Sequence, residues 1–216
     1  MVAEDESSES PVLFSEFDSL PTLVKSEVSN LTDSQLNYTS QRWEWSKWSI
    51  RNQLSHMTSL IPRWLVVRWG DDLFPNGEHG IENLDSITNS PSDRRLDDDL
   101  YWAATDILSM FEQFVDLACK VLTEKSVEYL RSRAVERNAT PQWRSMSRAH
   151  PHGVTAKGDP ASGTMTLEAT FRQIYYEELT HLYNIQRLKM AQNLPITIEI
   201  PKVGYWMLDD WDRSEP

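Results

Sequence analysis

The chain has 216 residues, enough for one domain with a substantial core, and 39% hydrophobic with 25% charged residues is the balance of a folded, water-soluble protein. Its formal net charge of −12 argues against general binding to nucleic acid or anionic membrane, which need clustered Lys and Arg, and leaves small molecules and cationic partners open. Nine Trp against seven Gly favours aromatic-packed helices over a turn-rich β fold.

Residues 1–16 are acidic and serine-rich and read as a disordered tail, without the basic region or apolar run of a signal peptide or anchor. Residues 17–216 read as a single domain. No apolar stretch approaches ~20 residues, so no spanning helix is expected, and the simplest address is the bacterial cytoplasm. A first helix is predicted from Leu20 to Leu31, with Leu23, Val24 and Val28 as its apolar stripe, followed by a polar link through Leu36.

The tryptophans Trp43, Trp45 and Trp48 lead into a second helix, expected from Ser46 or Ser49 to Leu73 and kinked at Pro62, which lacks a backbone donor. Ile50, Leu54, Met57, Ile61, Trp64 and Leu65 share its apolar side. His56 points about 100° from that side, together with Asn52, Gln53 and Arg63, which places it at the rim of the core. Phe74 to Leu96 reads as a surface loop holding a solvated His79. A third helix keeps i, i+3, i+4 spacing from Leu100 through Ile107, Phe111, Val115 and Leu122, behind Asp97, Asp98 and Asp99, which would sit in its first turn at the positive end of the dipole. Cys119, the only cysteine, falls in this apolar run as a buried, inert thiol.

Between Glu128 and Gly163 a short helix through Tyr129 to Val135 precedes a long loop carrying Pro141, Trp143, His150, Pro151, His152 and Gly158. Such a loop often walls a pocket, and its two histidines are either extra contacts to a ligand or surface residues. The last helix begins at Thr166 as N-cap and ends before Pro195. Ile196–Ile200 alternates like a short strand, and the aromatic stretch Val203–Trp211 is expected to pack back on the helices.

Glu177 and His181 lie four apart on this last helix, on the side shared by Leu167, Ile174, Ile185 and Leu188, each within about 40° of His181 at ~100° per residue. A carboxylate and an imidazole on a buried face need a partner. One such partner is a divalent metal completed by a histidine from another helix.

The chain resembles the DinB-like (DinB/YfiT-type) superfamily of metal-binding four-helix bundles in three segments. Leu31-Thr32-Asp33-Ser34-Gln35-Leu36 is similar to the approach to that family's second helix. Glu44-Trp45-Ser46-Lys47-Trp48-Ser49-Ile50-Arg51 through His56-Met57 is similar to its Trp-Ser-Ile/Val…His helix, and Leu167 through His181-Leu182-Tyr183-Asn184-Ile185 is similar to its last helix. The resemblance implies an all-α four-helix bundle with long inter-helix loops and a C-terminal tail packed on the bundle. It also implies metal ligands at His56, His181 and Glu177, the last standing where the family usually has another histidine. A carboxylate binds the same ions, Zn, Fe, Mn or Ni.

The implied activity is that of a metal-dependent transferase or isomerase using a low-molecular-weight thiol, or of a hydrolase, acting on a small molecule, with Asn52, Arg63, Tyr175 and Glu178 as candidate substrate contacts. The alternative is a non-catalytic bundle with a degenerate site, serving as a scaffold or homodimer, in which Glu177 pairs with a protein cation and His56 lies too far away to share an ion.

Overall fold

The computed structural model describes residues 13–137, 143–150, 152–158 and 162–216. It is mostly helical, with one small antiparallel sheet of two strands. Helix α1 (Leu20–Val28) has Pro21 in its first turn, where a missing amide costs nothing. It stops short of the predicted Leu31 because Asn30 turns left-handed, at φ 63. The expected tail also ends earlier than Glu16. Phe14 is buried against Phe17 and Phe171, so the core begins before residue 17; the acidic residues 1–12 lie outside the described residues.

Helix α2 (Ile50–Pro62) opens on a capping box in which the Ser49 side chain accepts from the Asn52 amide and the Asn52 side chain accepts from the Ser49 amide. The single long helix expected to Leu73 is instead three pieces. After Pro62 the coil widens into a π-helical stretch, Arg63–Arg68, and a separate turn, Gly70–Leu73, follows the buried Trp69. The supposed surface loop from Phe74 to Leu96 carries a helical turn at Leu84–Thr88, and its Ile87 and Leu96 are buried. Its end is held on α2: the Leu96 amide donates to Ser55 Oγ, and the Arg94 carbonyl accepts from Ser59 Oγ at 2.6 Å.

Helix α3 (Ala104–Glu124) starts later than predicted. Asp97 closes a turn by accepting the amides of Leu100 and Tyr101, Asp98 pairs with Arg95, and Leu100 is 63% exposed. The three aspartates therefore lie outside the first turn, which holds Asp106.

Helix α4 (Val127–Ser132) ends where strand β1 (Ala134–Arg137) pairs with β2 (Gly163–Thr166). Helix α5 (Trp143–Ala149) occupies part of the predicted loop, while Pro141 and Pro151 lie outside the described residues. Helix α6 (Leu167–Ala191) is capped by Thr166, whose hydroxyl accepts from the Ala169 amide.

Helix α2 packs on α3 and α6, and α1 packs on the same two, closing a ring of contacts around one core. No strand forms at Ile196–Ile200, because the amides of Thr197 and Ile198 bond instead to the buried Glu27 carboxylate of α1. The tail then returns over the helices as anticipated. Gly204, at φ 61, brings it so close to the Tyr176 ring that any Cβ would collide there, and Tyr205 is buried. Among the described residues no helix is long and apolar enough to cross a membrane.

Candidate metal centre

The contact between α2 and α6 places His56 opposite Glu177 and His181. One ligand-capable atom from each of the three lies within 4.8 Å of the others. That is wider than the roughly 3.5 Å between donors around a tetrahedral ion, so an ion bound there would draw them in. The imidazole rings are 4.5 Å apart at 62°, with the Trp48 ring 5.1 Å from His56 and 6.3 Å from His181.

His56 was expected at the rim of the core, yet it is 4% exposed. The reason is the loop before α3, whose Arg94 carbonyl meets His56 Nδ1 at 2.8 Å. Asp93 and Arg94 hold φ 40 and 61 in this turn, a left-handed conformation uncommon for residues with side chains. His181 Nδ1 meets the Gln53 side-chain oxygen at 2.6 Å.

In both rings the neighbour of Nδ1 is an oxygen that can only accept, which assigns the proton to Nδ1 and leaves the lone pair on Nε2. This is how a carbonyl or carboxamide orients an imidazole for a metal. Burial, aided by the charges of Arg94 and Arg63, pushes the pKa of His56 down to about 4. Burial, then His56 and Arg94, drives that of His181 well below its usual value. Both are neutral at neutral pH, the form that ligates.

Glu177 is held from a different direction. Gln173, one turn earlier on α6, donates its amide nitrogen to Glu177 Oε1. The Gln173 carbonyl oxygen accepts from the Tyr205 hydroxyl at 2.6 Å and from His150 Nε2 at 2.7 Å. Segments remote in sequence, the end of α5 and the C-terminal tail, thus converge on one glutamine that orients the carboxylate.

His150 is fully buried, stacks on Tyr176 at 5.0 Å, and has its pKa pushed down to about 4 by burial. It is therefore neither a surface residue nor one of the three donors. Gln53 was placed beside His56 in the sequence without a role, and Gln173 was not singled out, although each stands a helical turn before a candidate donor.

The candidate substrate contacts divide. Asn52 is occupied with capping α2. Tyr175 packs on Phe17 in the core, 6.0 Å between rings, where burial pushes its phenol up to about 12. Glu178 is fully buried with both carboxylate oxygens lacking a hydrogen bond among the described residues, and burial, with Glu177 beside it, raises its pKa well above the usual carboxylate value. Of these four candidates, only Arg63 is electrostatically coupled to His56, alongside Arg94 and Asp93.

His79 bonds its own loop, and His152 stays exposed. Cys119 is half-buried rather than buried; its thiol faces Asp18 at 3.2 Å, and desolvation pushes it up to about 12, the inert form expected. No family model, no curated protein and no solved structure matches the chain.

Proposed function

We propose that the chain is a four-helix bundle of DinB-like type, formed by α1, α2, α3 and α6, that binds a divalent transition metal through His56, Glu177 and His181. In this reading it acts on a small molecule as a thiol-dependent transferase or isomerase, or as a hydrolase. The carrying observation is the pair of neutral imidazoles, His56 buried and His181 half-buried, each with Nδ1 directed onto an oxygen acceptor, beside a carboxylate within 4.8 Å.

Two imidazoles and one carboxylate suit Zn, Fe, Mn or Ni and leave positions open. When bound, such an ion makes a coordinated thiol or water more acidic and so supplies a nucleophile near neutral pH. The chain's own residues orient the donors: the Arg94 carbonyl turns His56, Gln53 turns His181, and Gln173 holds Glu177. Burial keeps both histidines unprotonated. The scaffold reading requires His56 out of reach of a shared ion, and the 4.8 Å grouping counts against it.

Elemental analysis of protein purified without a nickel column tests the proposal. Wild type should retain about one equivalent of metal after dialysis and His56→Ala none, and added ion should raise the thermal midpoint of wild type alone. Melting unchanged by Zn²⁺, Mn²⁺, Fe²⁺ and Ni²⁺ would overturn it.

A further inference from the structure

Two arginines stand beside the three donors with no part in holding them by their side chains. Arg63 follows His56 by seven residues along one helical path, so at ~100° per residue the two side chains leave within about 20° of each other. Among the described residues Arg63 forms no hydrogen bond or ion pair, and its Nε is buried without a partner. A guanidinium has no way to shed its charge, so leaving its buried Nε–H unmet is costly.

Arg94 reaches the same place from the loop, its guanidinium 5.2 Å above the Trp48 ring that adjoins both imidazoles. The two cations act on each other: burial, with the charge of Arg94, lowers the pKa of Arg63. The acid that offsets them is Asp93, which pairs with Arg94 Nε at 3.5 Å on the exposed side. With a divalent ion in place, the ion, Glu177, the two arginines and Asp93 sum to about +2. A guanidinium with an unmet Nε–H, a second cation beside it and, with the ion bound, a surplus of positive charge call for an anion. A planar guanidinium pairs best with an oxyanion.

We propose that Arg63 and Arg94 form an oxyanion subsite beside His56, Glu177 and His181, and that the substrate enters through a carboxylate or phosphate-ester group held there, its body lying along Trp48 toward the donors. The catalytic meaning of this subsite rests on the proposed metal centre. The pairing of the two arginines does not, since they belong to the chain, but the surplus of positive charge does: without the ion, Glu177 and Asp93 balance Arg63 and Arg94.

The test is calorimetric titration of the full chain, metal-free and zinc-loaded, at low ionic strength, with succinate and separately with inorganic phosphate. Wild type should bind at least one of them, and the tighter of the two identifies the oxyanion. Arg63→Gln and Arg94→Gln should each weaken binding about tenfold or more, with Arg63→Lys intermediate because it keeps the charge and loses the fork. The Arg94 side chain is 63% exposed, so Arg94→Gln leaves the fold intact and answers even where Arg63→Gln fails to fold.

A second pair of arginines serves as the control. Arg131 and Arg172, both paired to Glu168, line a separate cleft of about 590 Å³ with His152 and Tyr176. Replacing either by Gln should leave the titration unchanged. Absence of binding in both forms overturns the subsite, as does binding that survives Arg63→Gln and Arg94→Gln or falls instead with the Arg131 and Arg172 variants. Zinc content read on the same samples separates the two proposals. Arginine-dependent binding by a protein that takes no zinc would sink the metal centre and keep the subsite.

Discussion

Glu177 sets the charge of the proposed centre. Three neutral imidazoles would leave a divalent ion at about +2, whereas a carboxylate lowers this to about +1 and makes a coordinated water or thiol less acidic. The same oxygen donor shifts preference toward Fe²⁺ or Mn²⁺. Glu177→His should therefore tighten Zn²⁺ or Ni²⁺ relative to Mn²⁺, as imidazole favours those ions, and competitive titration of the two proteins measures it. Unchanged relative affinities would mean that Glu177 does not ligate.

The glutamine behind Glu177 leans in turn on His150, whose protonation belongs to the stability of the fold. Its pKa falls from 6.5 to about 4 in the folded state because it is buried. The folded protein thus binds fewer protons than the unfolded chain between these values. The stabilising contribution is complete above pH 6.5 and is lost as pH falls through that window, by about 3 kcal/mol at roughly 1.4 kcal/mol per unit. In His150→Phe the urea-unfolding free energy should fall less steeply from pH 7 to pH 4 than in wild type. Equal slopes would show that His150 charges freely in the folded state.

At the level of elements, what the sequence disclosed follows from how local the physics is. The last helix was readable at both ends, since Thr166 caps within one turn and Pro195 forbids continuation just beyond. Glu177 and His181 came with it, because i, i+4 spacing alone puts them on one face. The start of α3 was misjudged for the complementary reason: three aspartates look like a first turn, but Asp98 prefers Arg95 and Asp97 a tight turn. The burial of His56 was not readable from its helix. A rim position becomes interior only because Arg94, 38 residues away, lays its carbonyl on the ring. Gln173 has the same history, since its partners Tyr205 and His150 arrive from segments whose paths the local pattern does not set. The small sheet escaped notice because its strands are four residues each and pair across the whole span from β1 to β2.

Across the whole molecule, one buried carboxylate ties the first helix, the last helix and the tail together. Glu27 accepts from Lys189, from Gln186 at 3.0 Å and from the backbone amides of Thr197 and Ile198, with no solvent exposure of its own. Removing one member of a buried ion pair costs about 3–5 kcal/mol, because the other charge stays buried without compensation. Glu27→Gln keeps the shape but strands Lys189 and turns an amide donor toward groups that themselves donate. It should lower stability by about that amount, roughly 2–4 °C of melting temperature per kcal/mol in a chain of this size.

The consequence extends to the centre. Thr197 and Ile198 anchor the stretch that carries Tyr205 to Gln173, and Gln173 holds Glu177. Loosening the tail at Glu27 removes one of the two groups that fix that glutamine. Supports of this kind are worth about 10- to 100-fold in metal affinity. Zinc binding by Glu27→Gln should therefore weaken toward that range under conditions where circular dichroism still shows a folded protein. The same loss in Tyr205→Phe, which leaves Glu27 untouched, would trace the effect to the tail. Wild-type zinc affinity in a folded Glu27→Gln protein would instead show that the tail anchors the fold without reaching the site.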